Sequence, residues 1–156
     1  MNAWNPDDVL NGSNVQLNSN DIYLLESYLV NGGAYQSLTD WKTKADKCAN
    51  YQATLGVQMA TVATPITCDQ FTQVWFGTAM YNFDYFQITD TSYSSSNNNL
   101  VFVSNPSSSY GTLWQNSTVQ SNGGSPPSYS RSTQSWTLTI SGDGSTWGYG
   151  GFTAYG

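Results

Sequence analysis

Glu26 is the only glutamate in the chain of 156 residues, and it follows the apolar run Ile22-Tyr23-Leu24-Leu25 instead of standing on a charged helix face. In α/β proteins with parallel strands, reacting groups sit where the strands end. A carboxyl there is partly desolvated, which raises its pKa and suits a general acid. The competing role is a structural carboxylate satisfied by backbone N–H groups. Asp90 holds the matching place in Ile88-Thr89-Asp90-Thr91, as a second acid or as a turn cap. Asp7 and Asp8 follow Asn5-Pro6. They are the reserve acids, or the first turn of a helix, where the dipole favours Asp. Asp21 and Asp84 precede apolar runs and are expected as turn residues. Trp4, Tyr28 and Tyr93, with Tyr23, Tyr35 and Tyr110, fall in or beside the same loops. Aromatic faces beside carboxylates suit the C–H faces of sugar rings; packing in the core is the alternative for each. Gly142-Asp143-Gly144-Ser145 has one Asp, far short of a calcium ligand set, and Gly148-Tyr149-Gly150-Gly151 lacks the context of a phosphate loop. No cofactor and no metal site is expected.

The elements that must position these residues are legible over the first ninety positions. Residues 21–26 form a short bounded apolar run, expected as a buried strand, and Asn31-Gly32-Gly33 is a turn signal. Leu38, Trp41, Ala45, Cys48, Gln52 and Leu55 recur at steps of three and four, one face of a helix. Ser37 or Thr39 can cap its start and Gly56 its end. Residues 57–63 form a second apolar run, stopped at Pro65. Thr67 with Gln70 fits a capping box ahead of a helix carrying Phe71, Val74, Trp75 and Ala79. Residues 84–89 make a third strand. Strand and helix alternate with short links, which argues for a parallel sheet with right-handed crossovers. Beyond Thr91 the texture changes. Leu100–Val103 is a short apolar run and a candidate fourth strand, and Ser104–Arg131 is Ser/Pro/Gly/Asn-rich without a period. Trp136–Ile140 alternates like a half-buried strand, and Trp147–Phe152 is expected to return as a hairpin partner. Two segments are therefore expected, 1–105 and 106–156.

Composition bounds the setting. Charged residues make up only 9% of the chain, against about 25% in average proteins. Four basic against ten acidic residues give net −6, without a histidine. Four cations cannot form the basic stripe that nucleic acid demands. The lack of His removes Ser-His-Asp and Cys-His catalysis. No apolar run reaches the ~18 residues of a spanning helix, so no membrane insertion is expected. Solubility resting on hydroxyls and amides points to an extracellular or cell-surface location. The triplets Asn11-Gly12-Ser13 and Asn116-Ser117-Thr118 fit glycosylation acceptors. Cys48 and Cys68 are the only cysteines, either joined as one disulfide or kept as buried thiols. The start, Met1-Asn2-Ala3-Trp4, lacks a secretory signal, as expected after removal of a leader or in a piece of a longer protein.

The segments Asn2-Ala3-Trp4-Asn5-Pro6, Asp21–Tyr28 and Leu55-Gly56-Val57 resemble the second half of a (β/α)8-barrel glycoside hydrolase, of the endo-α-1,4-polygalactosaminidase and spherulin-4-like group. The resemblance covers residues 1–105. It implies an α/β half-barrel of parallel strands followed by a β-rich tail, with Glu26 on the catalytic face. A complete barrel takes roughly 250 residues, so a missing half or a second copy would have to complete it. The implied activity is hydrolysis of a polysaccharide by Glu26 with Asp90, or with Asp8. Two carboxyls about 5 Å apart retain and roughly 6.5–9.5 Å apart invert configuration. The alternatives are a non-catalytic structural or adhesive surface protein that self-assembles, and a carbohydrate-binding module resting on Trp4, Tyr28 and Tyr93. An open half-barrel leaves strand edges exposed, and Trp136–Ile140 is the expected cover.

Overall fold

The computed structural model describes residues 5–10, 17–89, 103–104, 114–125, 127–134, 137–141 and 148–150. Three parallel strands are laid down in sequence order: β1 (Ile22–Leu25), β4 (Gln58–Ala63) and β5 (Tyr85–Ile88). Helix α2 (Leu38–Leu55) links the first two and α3 (Cys68–Met80) the last two. The helix ends follow their capping residues. Ser37 Oγ accepts from the Asp40 N–H, and Gly56 closes α2 at φ 71° with its N–H on the Gln52 carbonyl. Thr67 Oγ1 accepts from the Gln70 N–H at 3.2 Å, and Gln70 Oε1 reaches back to the Ile66 N–H at 2.9 Å. Asp84 fixes the amino ends of β4 and β5 by accepting from the Met59 N–H and from Gln52 Nε2.

The sheet departs from the expected half-barrel at its far edge. Strand β6 (Val103–Ser104) pairs with β5 antiparallel, where a barrel would need a further parallel neighbour. The architecture is a mixed α/β sheet with a parallel three-strand core, and among the described residues no barrel is closed.

Residues expected as an aperiodic loop carry strands instead. β7 (Gln120–Gly123), β8 (Ser128–Ser132), β9 (Thr137–Ser141) and β10 (Gly148–Gly150) form an antiparallel sheet in the order β10-β9-β8-β7. The return of β10 on β9 is the expected hairpin. The alternation Ser128-Tyr129-Ser130-Arg131-Ser132 puts Tyr129 and Arg131 inward, which is a period of two. β9 does not cover an edge of the first sheet. It pairs with β8 and β10 and packs on α3. Buried Gln73 of α3 bridges the layers, donating to Tyr35 Oη and accepting from the Ser141 N–H. With neighbours on both sides, α3 buries Gln70, Gln73, Thr78 and Gly77 as well as its apolar face.

An aromatic cluster centred on Trp41 ties the layers together. Its ring meets Tyr28, Tyr81 and Tyr129 edge-on, with centroids 5.9, 5.7 and 5.8 Å away. Phe83 extends the cluster by stacking on Tyr81. Among the described residues the Trp41 indole N–H has no hydrogen-bond partner, so packing is what holds this side chain. Such pairs contribute about 0.5–1.5 kcal/mol each beyond burial. Gly77 permits the approach of α3: a Cβ there would stand 3.2 Å from Trp41 Cζ2 and 3.4 Å from Tyr28 Cε1. Among the described residues no helix is long and apolar enough to cross a membrane. Gly77→Leu has no space to occupy between these rings and is expected to destabilise the protein by about 1–3 kcal/mol, read from the denaturant midpoint at constant m-value.

Candidate functional site

At the carboxyl rim of the parallel strands, the chain leaves β1 through Glu26, whose side chain is exposed. It then turns sharply, with Ser27 at φ 53° and Leu29 at φ 62°. Left-handed backbone at non-glycine residues is costly and persists only where its surroundings hold it. Here the Tyr28 N–H donates to the Val62 carbonyl at 2.9 Å, and Gln36 Nε2 donates to the Ser27 carbonyl. The hairpin of β2 (Val30–Asn31) and β3 (Ala34–Tyr35) then crosses the end of β4. Gly32 donates to Thr64 Oγ1, Gly33 to the Thr64 carbonyl at 3.0 Å, and Thr64 back to the Val30 carbonyl at 3.3 Å. Gln70 Nε2 closes the set on the Gly33 carbonyl at 2.6 Å. Gly33 suits this turn, since its φ is +75° and a Cβ there would have to displace the Ile66 side chain. At the end of β4, the backbone groups of Thr64 are spent on this hairpin.

The expected site residues do not gather around Glu26 in the described structure. Trp4, Asn11, Asp90 and Tyr93 lie outside the described residues, as does the side chain of Asp8. Tyr28 is a core residue and not a sugar platform: it is 2% exposed, its Oη donates to the Gly77 carbonyl at 2.8 Å, and burial pushes its pKa well up. Asp7 belongs to the short helix α1 (Asp7–Leu10) and pins it to α2. It accepts from Lys47 Nζ at 2.5 Å and from Tyr51 Oη at 2.9 Å. Those two bonds hold its carboxyl below the usual range. The disulfide is not formed. Cys48 is buried within α2, where desolvation pushes its pKa up to about 12, whereas Cys68 is exposed at the first turn of α3. Asn116 lies in the bend before β7, its Oδ1 accepting from the Ser132 N–H at 3.0 Å, and its neighbours Ser117 and Thr118 are exposed.

An open cleft of about 680 Å³ lies elsewhere, between α2, the turn after α3 and the start of the antiparallel sheet. Lys42, Asp46, Tyr81, Asn82, Ser117 and Arg131 give it its chemistry. Lys42 Nζ pairs with Asp46 at 2.7 Å and sits over the Tyr129 ring at 5.8 Å. Tyr81 Oη donates to Asp46 Oδ1 at 2.7 Å, and burial followed by this bond raises its pKa strongly. Arg131 is 8% exposed. Its guanidinium donates to the carbonyls of Met80, Asn116 and Ser117 and lies 5.0 Å from the Trp114 ring centroid. Two of the four basic residues of the chain thus line one cleft. Sequence reasoning passed over Arg131, although its inward place in the alternation of 128–132 was a usable signal. Among the described residues no cluster of His, Cys, Asp and Glu could hold a metal ion. Comparison with protein families, with curated proteins and with solved structures finds no match for this chain.

Two outcomes follow from these placements. In the native state one thiol, Cys68, is expected to react with a thiol reagent at pH 8, and Cys48 only after denaturation, as peptide mapping of the labelled protein would read. The depressed pKa of Asp7 means that its contribution is present above about 3.9, the unfolded value, and is lost as pH falls through the lower folded value. Tyr51 is raised, by desolvation and then by its bond to Asp7. Its contribution is complete below about 10 and is lost as pH climbs through the folded value. Amide exchange at Val9 and Leu10 is expected to accelerate at both extremes, and Asp7→Asn to remove the acid-side change.

Proposed function

We propose that this protein is a non-catalytic glycan-binding module of an extracellular surface, with the 680 Å³ cleft as its ligand site. The cleft is the observation that carries this reading. Its lining combines exposed hydroxyls at Ser117 and Thr118, the Asn50 amide and the aliphatic faces of Ala49 and Ala53. Sugars present hydroxyls and C–H faces together, and such a lining matches both. The hydroxyl-rich, charge-poor composition supports an extracellular setting.

The covered end of β4 supports a role without hydrolysis. Hairpin β2–β3 occupies the end of β4, and Glu26 stands exposed at the outer strand of the sheet. Hydrolysis is the second reading, and one observation favours it: Glu26 does stand at the carboxyl end of a parallel strand, as the resemblance implies. Descent from half of a (β/α)8 barrel accommodates β1, β4 and β5 with their two helices, and fits poorly with antiparallel β6.

A panel of neutral and acidic oligosaccharides screened by ligand-observed NMR tests both readings. Ala53→Trp fills the cleft from an exposed helix position and is expected to weaken binding at least ~10-fold, about 1.4 kcal/mol. Glu26→Gln is expected to leave it unchanged. Release of reducing ends that Glu26→Gln abolishes would establish the hydrolase instead.

A further inference from the structure

Among the described residues, Arg131 is a buried cation without a counter-ion. Among the described residues the ion pairs are Lys42 with Asp46 and Lys47 with Asp7, and neither involves Arg131. Its partners are three neutral carbonyls and the edge of the cluster at Trp114. A ring face compensates a cation only in part. A guanidinium carries five N–H groups, and three are drawn onto carbonyls. One N–H remains on each Nη nitrogen, on a side chain that lines the cleft. Burying a charge without an opposite one is costly, and the cost falls when an anion arrives. Local charge favours that anion: Lys42 and Arg131 stand against the single carboxylate of Asp46. Desolvation lowers the pKa of Arg131, the direction that an unpaired buried cation shows.

We propose that the cleft selects an acidic sugar, seating the carboxylate of a uronic-acid residue on the Arg131 guanidinium with Lys42 beside it. A planar carboxylate has two oxygens for the two remaining N–H groups, which makes it the matching oxyanion. The inference rests on the glycan-binding role proposed above and names the class of ligand. The net charge of −6 repels a long polyanion, yet at physiological salt that field is screened beyond about 8 Å. A short oligouronate therefore meets mainly the local charges of the cleft.

Calorimetric titration of the full chain in 0.15 M NaCl, with trigalacturonate, its methyl ester and inorganic sulfate as probes, is the test. Trigalacturonate is expected to bind at least ~10-fold tighter than the ester, the scale of one charge-assisted contact. Arg131→Gln is expected to erase that ratio. Because Arg131 also holds three carbonyls and this variant can fail to fold, Ser117→Asp provides the second arm. It places a carboxylate at the exposed mouth and is expected to bring the ratio of acid to ester close to one. Equal affinity for acid and ester overturns the acidic preference while leaving glycan binding intact, and a ratio that survives Ser117→Asp overturns the seat of the carboxylate at Arg131. Failure of both sugars to bind overturns the uronic-acid ligand, and glycan binding itself falls when the neutral oligosaccharides of the panel fail as well; binding of sulfate alone shows a simple anion site in its place.

Discussion

Trp41 is the contact on which the rest of the structure depends. Its ring touches the turn after β1, the end of α3 and strand β8, three segments far apart in the chain. Among the described residues no hydrogen bond fixes its indole N–H, so the shape of its surroundings does so. Shape suffices because Gly77 lets α3 come within van der Waals distance of the indole and of Tyr28, whose phenol then reaches the Gly77 carbonyl. Through Tyr129 the same ring anchors β8, and β8 carries Arg131 to the carbonyl of Met80. The cleft is a consequence of this docking: its walls belong to α2, the α3 turn and the antiparallel sheet, and none of them forms it alone.

The two ends of the fold are treated oppositely. Over β4, the hairpin spends its backbone groups on Thr64 and accepts left-handed conformations at Ser27 and Leu29 to do so. Backbone bonds within a buried turn offset that strain. At the cleft, by contrast, hydroxyls at 117 and 118 stay exposed and a guanidinium keeps N–H groups in reserve. The contrast between the covered end of β4 and the open charged cleft on another face is the basis of the ligand site proposed above.

Much of the α/β unit was legible in the sequence because local signals agreed there. The steps of three and four from Leu38 to Leu55, the caps at Ser37, Gly56 and Thr67, and the bounded runs of β1, β4 and β5 each state a local preference. The antiparallel sheet was hidden by composition. Ser128, Ser130 and Ser132 are not among the β-branched and aromatic residues enriched in strands, so the inward Tyr129 and Arg131 were the mark of this strand. The direction of β6 depends on the path between elements and not on residues 103 and 104. Glu26 was placed correctly at the end of β1, but the closure of its neighbourhood was not visible, since Gly32 and Gly33 find their acceptor on Thr64, more than thirty residues away. The chemistry of the cleft joins Lys42, Tyr81 and Arg131 from distant segments, and no local pattern announces such a meeting.

The docking of the antiparallel sheet through Trp41 is tested most directly by a double-mutant cycle of Trp41→Leu and Tyr129→Leu, with stability measured by urea unfolding. A coupling free energy of about 0.5–1.5 kcal/mol is the expected result. Additive losses, with coupling near zero, would contradict the view that this ring pair holds the sheet, and with it the cleft, in place.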